Sequence, residues 1–163
     1  MKKIFIAVIM MFVLIISNGC EKTTANNIKE IQNLVQQEIF TQEDQRYYIF
    51  FYRDNCGDCE KAKPFVLDYV EASKTNDELI PLYGVNLSDP LNKSMYRRFS
   101  GKGGQGTGET CSGLFKVDNV TKWDNLYIGC TASIILIYTY NDVKTAKFRA
   151  NGKDNIKKLL EIE

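Results

Sequence analysis

Residues 47–64 have the sequence Tyr-Tyr-Ile-Phe-Phe-Tyr-Arg-Asp-Asn-Cys-Gly-Asp-Cys-Glu-Lys-Ala-Lys-Pro. The apolar and aromatic run at the start of this stretch predicts a buried strand over residues 46–52. The apolar side chains that follow recur at helical spacing and predict a helix over residues 60–72. Cys56 and Cys59 therefore fall where a strand ends and a helix begins.

Two thiols separated by two residues at such a junction suit dithiol–disulfide chemistry. Cys56 stands at the start of the helix, where free N–H groups and the helix dipole favour a thiolate. Cys59, one turn later, is close enough to resolve a mixed disulfide formed by Cys56. A Cys-x-x-Cys pair in this context is a redox signature, and we assign Cys56 and Cys59 as the catalytic pair.

One half of a structural zinc site is the competing interpretation of the same pair. The chain has five cysteines and no histidine, and no second Cys-x-x-Cys pair exists. A common set of four zinc ligands therefore cannot be completed. The sequence favours redox chemistry and predicts neither a metal ligand set nor a cofactor.

Pro64 strengthens this interpretation, because it lies five residues after Cys59, inside the predicted helix, where proline removes a hydrogen bond and bends the backbone. Thioredoxin and its relatives carry a proline at that offset, so residues 51–64 resemble the thioredoxin active-site segment. Within that family, residues 120–128 look like a segment of the exported bacteriocin transport accessory proteins of Gram-positive bacteria. The resemblance covers roughly residues 27–163. It implies the following neighbours of the cysteine pair: Asn55, Gly57, Asp58, Pro64, Thr131 and Ala132.

Three positions depart from the family pattern. Ala132 occupies the place of the cis-proline opposite the active cysteines, and because a cis bond before a non-proline residue costs about 3–4 kcal/mol, we expect a trans peptide there. Phe50 replaces a buried acid, so a proton relay through that position is missing. Asn55 stands where the family places a tryptophan. Dithiol chemistry stays plausible with these changes, whereas the role of a cytosolic thioredoxin does not.

The remaining pattern predicts an α/β protein with a thioredoxin-like fold. The predicted sheet is central and mixed, built from a βαβ half and a ββα half, with helices flanking it. Apolar spacing predicts an extra N-terminal helix over residues 27–40 and another helix over 88–99. Strands are expected over 79–87, 133–140 and 143–150, with a turn at Asn141-Asp142. Residues 100–110 are Gly-rich and predict a loop, and an amphipathic helix closes the chain.

The N-terminus has the layout of an export signal. Lys2 and Lys3 precede an apolar run over residues 4–16, which is too short to span a bilayer comfortably. Gly19-Cys20 then resembles the end of a bacterial lipoprotein signal, with Ser17 as a departure from that pattern. We predict a signal peptide over residues 1–19, lipid attachment at Cys20, a tether over 20–26 and one domain over 27–163. Ordinary cleavage nearby and an uncleaved anchor are the alternatives.

An exported chain meets an oxidising environment, in which disulfides persist. Once Cys20 is lipidated, an even number of thiols remains, and Cys111 and Cys130 suit a second disulfide. The alternative is that Cys130 faces Cys56 as a third reactive thiol, which would also create a three-thiolate metal pocket.

These observations predict a lipid-anchored thiol–disulfide oxidoreductase on the extracytoplasmic face of the cell membrane. Its partner would be an exported protein that carries a thiol or a disulfide. The formal charge of +1 over 163 residues offers no support for nucleic-acid binding. Asp58 places a negative charge beside the pair and favours a reductant or isomerase. The alternative function is a binding module for a secretion partner, in which the two cysteines form a structural clasp.

Overall fold

The computed structural model of the chain describes residues 30–105 and 114–161. Six regular elements appear in this part of the chain, in the following order: β1 (Arg46–Tyr52), α1 (Gly57–Ser73), β2 (Leu82–Asn86), β3 (Ser133–Tyr140), β4 (Val143–Asn151) and α2 (Lys153–Leu160). The four strands form one mixed sheet in the order β2-β1-β3-β4. The predicted α/β class is confirmed.

Strand β1 is central, and all of its residues after Arg46 are buried. It pairs in parallel with β2, with Phe50 opposite Gly84, and antiparallel with β3, with Phe50 opposite Ile134. Successive side chains of β1 alternate between two apolar clusters on the two faces of the sheet, so Tyr48 and Phe50 join one cluster while Tyr47 and Ile49 join the other. An uninterrupted apolar run is what a strand covered on both faces requires.

Both described helices pack on the same face of the sheet. Side chains of α1 and α2, among them Val66 and Ile156, share the apolar cluster of Phe50. The opposite face is covered by segments that contain short 3-10 turns, over Gln36–Glu38, Lys93–Met95 and Trp123–Asn125. The described helices therefore lie on one side only, and not on both.

The turn between β3 and β4 was correctly predicted. Asn141 and Asp142 both have positive φ angles, 48° and 62°. Asparagine and aspartate tolerate this left-handed conformation better than most residues, and a two-residue turn of this kind matches the twist of a hairpin. The hairpin brings β4 alongside β3 and leads the chain into α2.

The predicted helix over residues 27–40 is wrong for its described part. Residues 31–34 run extended along the outer edge of β2, where the Leu34 N–H donates to the Gly84 carbonyl at 2.8 Å and Asn33 forms a parallel bridge with Gly84. Ile31 joins one apolar cluster, whereas Leu34 and Ile39 join the other. The segment crosses the edge of the sheet, so its apolar side chains serve two faces and not one helical stripe.

The predicted helix over residues 88–99 is also wrong. Only Lys93–Met95 forms a 3-10 turn there. The side chain of Asn92 is buried, donates to the carbonyls of Asn86 and Leu34, and accepts from the Gln36 N–H at 2.7 Å. These side-chain bonds to the backbone replace helical hydrogen bonds.

Several sequence-based predictions lie outside the described residues. They are the signal peptide over 1–19, Cys20 and its tether, the first part of the predicted N-terminal helix, Cys111, and most of the second half of the Gly-rich loop. Within the described ranges, no helix is both long enough and apolar enough to cross a membrane.

Candidate functional site

Cys56 and Cys59 are joined by a disulfide at the start of α1, with their Cα atoms 5.2 Å apart. Cys56 is the N-cap residue of the helix and has an extended backbone, and its sulfur accepts a hydrogen bond from the Cys59 N–H at 3.2 Å. Cys56 keeps 7% of its surface exposed, whereas Cys59 is completely buried. The cysteine predicted to attack is thus the less buried of the two.

A turn at Asp54 and Asn55 links β1 to Cys56. Asn55 has a positive φ angle of 55°, in the region that asparagine tolerates. The neighbouring Asp54 is tied to the end of β2, because its N–H donates to Ser88 Oγ at 3.0 Å and its carboxylate accepts from Asn86 at 3.1 Å. These bonds fix the junction between strand and helix on which the disulfide is built.

The segment before β3 faces the disulfide from the other side. Thr131 Oγ1 lies 3.3 Å from the sulfur of Cys56, and the neighbouring Ala132 is fully buried. The Ala132 carbonyl accepts from the Gly152 N–H at 2.9 Å, and the Cys130 carbonyl accepts from Ser133 Oγ at 3.2 Å. The loop is therefore anchored to Gly152, directly after β4, and to Ser133, the first residue of β3.

The expected trans peptide before Ala132 is wrong, because the Thr131–Ala132 bond is cis. The preference for trans that we applied belongs to an isolated peptide. Here both neighbours of the bond are held by contacts with β3, β4 and the start of α1, and the sequence alone does not reveal such tertiary contacts.

A shallow cleft of about 270 Å³ opens beside the disulfide. It is lined by eight residues from three segments of the chain: Arg53, Asn55, Cys56, Gly57, Asp58, Tyr96, Cys130 and Thr131. The structure thus brings together most of the residues that the sequence singled out around the cysteine pair. Pro64 lies farther along α1 and is not among the lining residues, and Ala132 lies buried behind the cleft.

Arg53 and Tyr96 are the cleft residues that sequence reasoning missed. The Arg53 guanidinium lies over the Tyr96 ring, 4.4 Å from its centroid, and Arg53 Nε donates to Thr131 Oγ1 at 3.3 Å. Arg53 lies within residues 47–64, three residues before Cys56, and this closeness in the sequence was the signal that could have placed it at the cleft. Tyr96 gave no signal, because it comes from a distant segment.

The charges at the cleft have opposite signs. Asp58 is half exposed and forms an ion pair with Lys61 at 3.6 Å on the outer surface of α1. Such exposed pairs are screened by water and contribute little to stability. Arg53 is half-buried against Tyr96 and Thr131, so the positive charge is the less hydrated of the two.

The third cysteine of the cleft also takes part in a disulfide. Cys130 lines the cleft and is itself disulfide-bonded. Among residues 30–105 and 114–161, no group of three Cys, Asp or Glu side chains is placed to hold a metal ion. The three-thiolate pocket considered from the sequence is thus not formed by these residues.

Comparison with protein-family models finds no match, and neither does comparison with curated proteins or with solved structures.

Proposed function

We propose that this protein is a thiol–disulfide oxidoreductase with a thioredoxin-like fold that uses the Cys56–Cys59 pair. One observation carries the proposal: the two cysteines form a disulfide at the start of a helix, and Cys56 lines a cleft and keeps 7% of its surface exposed, whereas Cys59 is completely buried. A structural clasp has no need to line a cleft, and structural disulfides usually close longer loops.

The order of the elements supports the thioredoxin-like part of the proposal. Strand β1, helix α1 and strand β2 make a βαβ unit with parallel strands, and β3, β4 and α2 make a ββα unit. This is the arrangement that the resemblance of residues 51–64 implies. The extended segment at Asn33 adds a short further strand pairing beyond β2.

The proposed reaction consists of two thiol–disulfide exchanges. Cys56, as thiolate, attacks one sulfur of a disulfide in the partner protein. The mixed disulfide forms as the partner's S–S bond breaks, and the released sulfur takes up a proton. Cys59 then loses its proton and attacks the Cys56 sulfur, which restores the internal disulfide and releases the second partner thiol. Two electrons pass from the dithiol to the partner, and the reverse sequence oxidises a dithiol.

Membrane attachment through Cys20 belongs to the same proposal. The basic start, the short apolar run and Gly19-Cys20 support an exported, lipid-anchored chain. The partner is then an exported protein with a thiol or a disulfide, met at the extracytoplasmic face of the membrane. The described domain would act there at the end of the tether over residues 20–26.

Two matched variants test the proposal in an assay with a disulfide-bonded test protein. Cys56→Ser should form no mixed disulfide and show no turnover. Cys59→Ser should also lose turnover but accumulate a mixed disulfide at Cys56, because the attacking thiol remains and the resolving thiol is gone. Non-reducing electrophoresis and peptide mapping distinguish the two outcomes. No exchange by the wild-type protein would support the binding-module alternative, whereas full activity in Cys56→Ser would overturn the assignment of Cys56 as the attacking thiol.

A further inference from the structure

The sulfur of Cys56 is within hydrogen-bonding distance of two groups. The Cys59 N–H donates to it at 3.2 Å, and the hydroxyl of Thr131 lies 3.3 Å away. A disulfide sulfur carries no hydrogen, so Thr131 must be the donor in the second contact. A thiolate at Cys56 also lacks a hydrogen, and it would keep both bonds in the same direction, strengthened by its charge.

Arg53 determines which way the Thr131 hydroxyl points. A guanidinium can only donate, and Arg53 Nε donates to Thr131 Oγ1 at 3.3 Å. This bond occupies one lone pair of Thr131 Oγ1, and the hydroxyl hydrogen of Thr131 is left to donate to the Cys56 sulfur. The guanidinium, the hydroxyl and the sulfur form a chain of hydrogen bonds in which each N–H or O–H points toward the sulfur. The bonds of such a chain polarise one another.

Tyr96 holds Arg53 in this position. The guanidinium lies 4.4 Å from the centre of the Tyr96 ring, which is a cation–π contact. Because Tyr96 covers one side of the guanidinium, Arg53 is half-buried and its positive charge is less screened than that of a free surface arginine.

Within residues 30–105 and 114–161, few other ionisable groups face the Cys56 sulfur. From α1 they are Asp58, whose side chain is 54% exposed and paired with Lys61, and the buried Cys59. The loop before β3 contributes Cys130, which is disulfide-bonded in the structure and becomes a thiol when the protein is fully reduced, and the segment after β2 contributes Tyr96. Arg53 is therefore the positive charge most directly connected to the sulfur, and it opposes the effect of Asp58.

We infer that Arg53, acting through the hydroxyl of Thr131 and supported by Tyr96, is a positioning residue that favours the thiolate form of Cys56. This inference deepens the proposed function and depends on Cys56 being the attacking thiol. It assigns to Arg53 and Thr131 the control of Cys56 reactivity, and to Tyr96 the support of the guanidinium.

The test measures alkylation of Cys56 against pH in the reduced full chain. Iodoacetamide labelling at each cysteine is quantified by peptide mass spectrometry, so the other thiols do not interfere. We expect Arg53→Met and Thr131→Val each to raise the pH midpoint of Cys56 labelling by about one unit, the low end of what a neighbouring charge produces. The double variant should shift the midpoint no further than either single variant, because both break the same chain. Thr131→Ser should restore the wild-type midpoint.

Arg98→Met is the matched control, because Arg98 is an exposed arginine outside the cleft lining and its loss changes the net charge by the same amount. Its midpoint should equal that of the wild type. Arg53→Gln, checked for native circular dichroism, replaces Arg53→Met if the latter does not fold. An unchanged midpoint in the Arg53 variants, or strictly additive shifts, would overturn the inference alone. Labelling of Cys59 before Cys56 at every pH would instead overturn the proposed function.

Discussion

Gly129 packs directly on the backbone of Leu114. A Cβ atom at residue 129 would lie 2.8 Å from the Leu114 carbonyl carbon and would overlap the carbonyl oxygen. That oxygen is also held on another side, because it accepts a hydrogen bond from the Phe99 N–H at 3.1 Å. Since Gly129 directly precedes Cys130 and Thr131, this close approach positions the loop that faces Cys56.

We therefore predict that Gly129→Ala lowers the free energy of unfolding by about 1–3 kcal/mol, the usual cost of overpacking. Gly57→Ala is the matched control, because a Cβ atom at residue 57 meets nothing within 4 Å. That variant should stay within about 0.5 kcal/mol of the wild type or gain slightly from helix propensity. Urea unfolding followed by circular dichroism measures both. Equal stabilities of the two variants would contradict the close contact at Gly129.

The sequence was most informative where local pattern and burial agree. Strand β1 was predicted with its observed bounds, because a strand covered on both faces needs an uninterrupted apolar run. The helix over residues 27–40 failed because Ile31 and Leu34 are equally apolar but pack on different faces of the sheet. Periodicity counts apolar positions and does not say which surface each will cover.

The same distinction applies to the candidate site. Cys56 and Cys59 were identifiable because their chemistry depends on spacing within one short segment. The contacts of Arg53 with Tyr96 and Thr131 join segments that are distant in the sequence, so only the folded chain brings them together. The cis bond before Ala132 was missed for a related reason, since it lies in a loop held by tertiary hydrogen bonds.

The phenol of Tyr83 makes stability depend on alkaline pH. Burial, together with a 2.7 Å hydrogen bond to the Asp44 carboxylate, raises the pKa of Tyr83 to about 12 from an ordinary value of 10. The raised pKa means that the neutral phenol is favoured in the folded state. Its stabilising contribution is complete below pH 10 and is lost as the pH rises from about 10 through about 12.

We predict that Tyr83→Phe costs about 1 kcal/mol at neutral pH through the lost hydrogen bond. Because phenylalanine does not ionise, the variant should then lose less stability than the wild type between pH 10 and 12. Tyr140→Phe is the control, because Tyr140 is 65% exposed and its hydroxyl has no protein partner among the hydrogen bonds of the described residues. Denaturant unfolding across this pH range measures all three proteins. Parallel stability curves for wild type and Tyr83→Phe would contradict the role of Tyr83.

Cys20 is predicted to be the first residue of the mature, lipidated protein. When the full chain is expressed in a bacterium, Cys20→Ser should remove fatty-acid labelling and release the protein from the membrane fraction or leave it unprocessed. Cys130→Ser is the control that removes a different cysteine, and it should leave the fatty-acid labelling intact. A Cys20→Ser variant that is labelled, processed and retained like the wild type would rule out the lipoprotein assignment.

The last prediction concerns the partner of Cys130. Cys130 is disulfide-bonded. Cys56 and Cys59 are paired with each other, so we predict a bond to Cys111, as the sequence suggested. Such a bond would close a loop of about 19 residues, and in the chain-entropy model a loop of that size stabilises the fold by about 3 kcal/mol.

Peptide mapping of the non-reduced protein should therefore yield one peptide that links Cys111 to Cys130. Cys111→Ser and Cys130→Ser should each lower the free energy of unfolding by about 2–4 kcal/mol, and the double variant by no more than either one, because both remove the same bond. Cys56→Ser should cost less, since its loop spans only a few residues and the chain-entropy term grows with loop length. A peptide that joins Cys130 to Cys20 or to Cys56 would contradict the pairing. In the second case Cys130 would be a third reactive thiol of the cleft, and its replacement would alter the exchange reaction more than the stability.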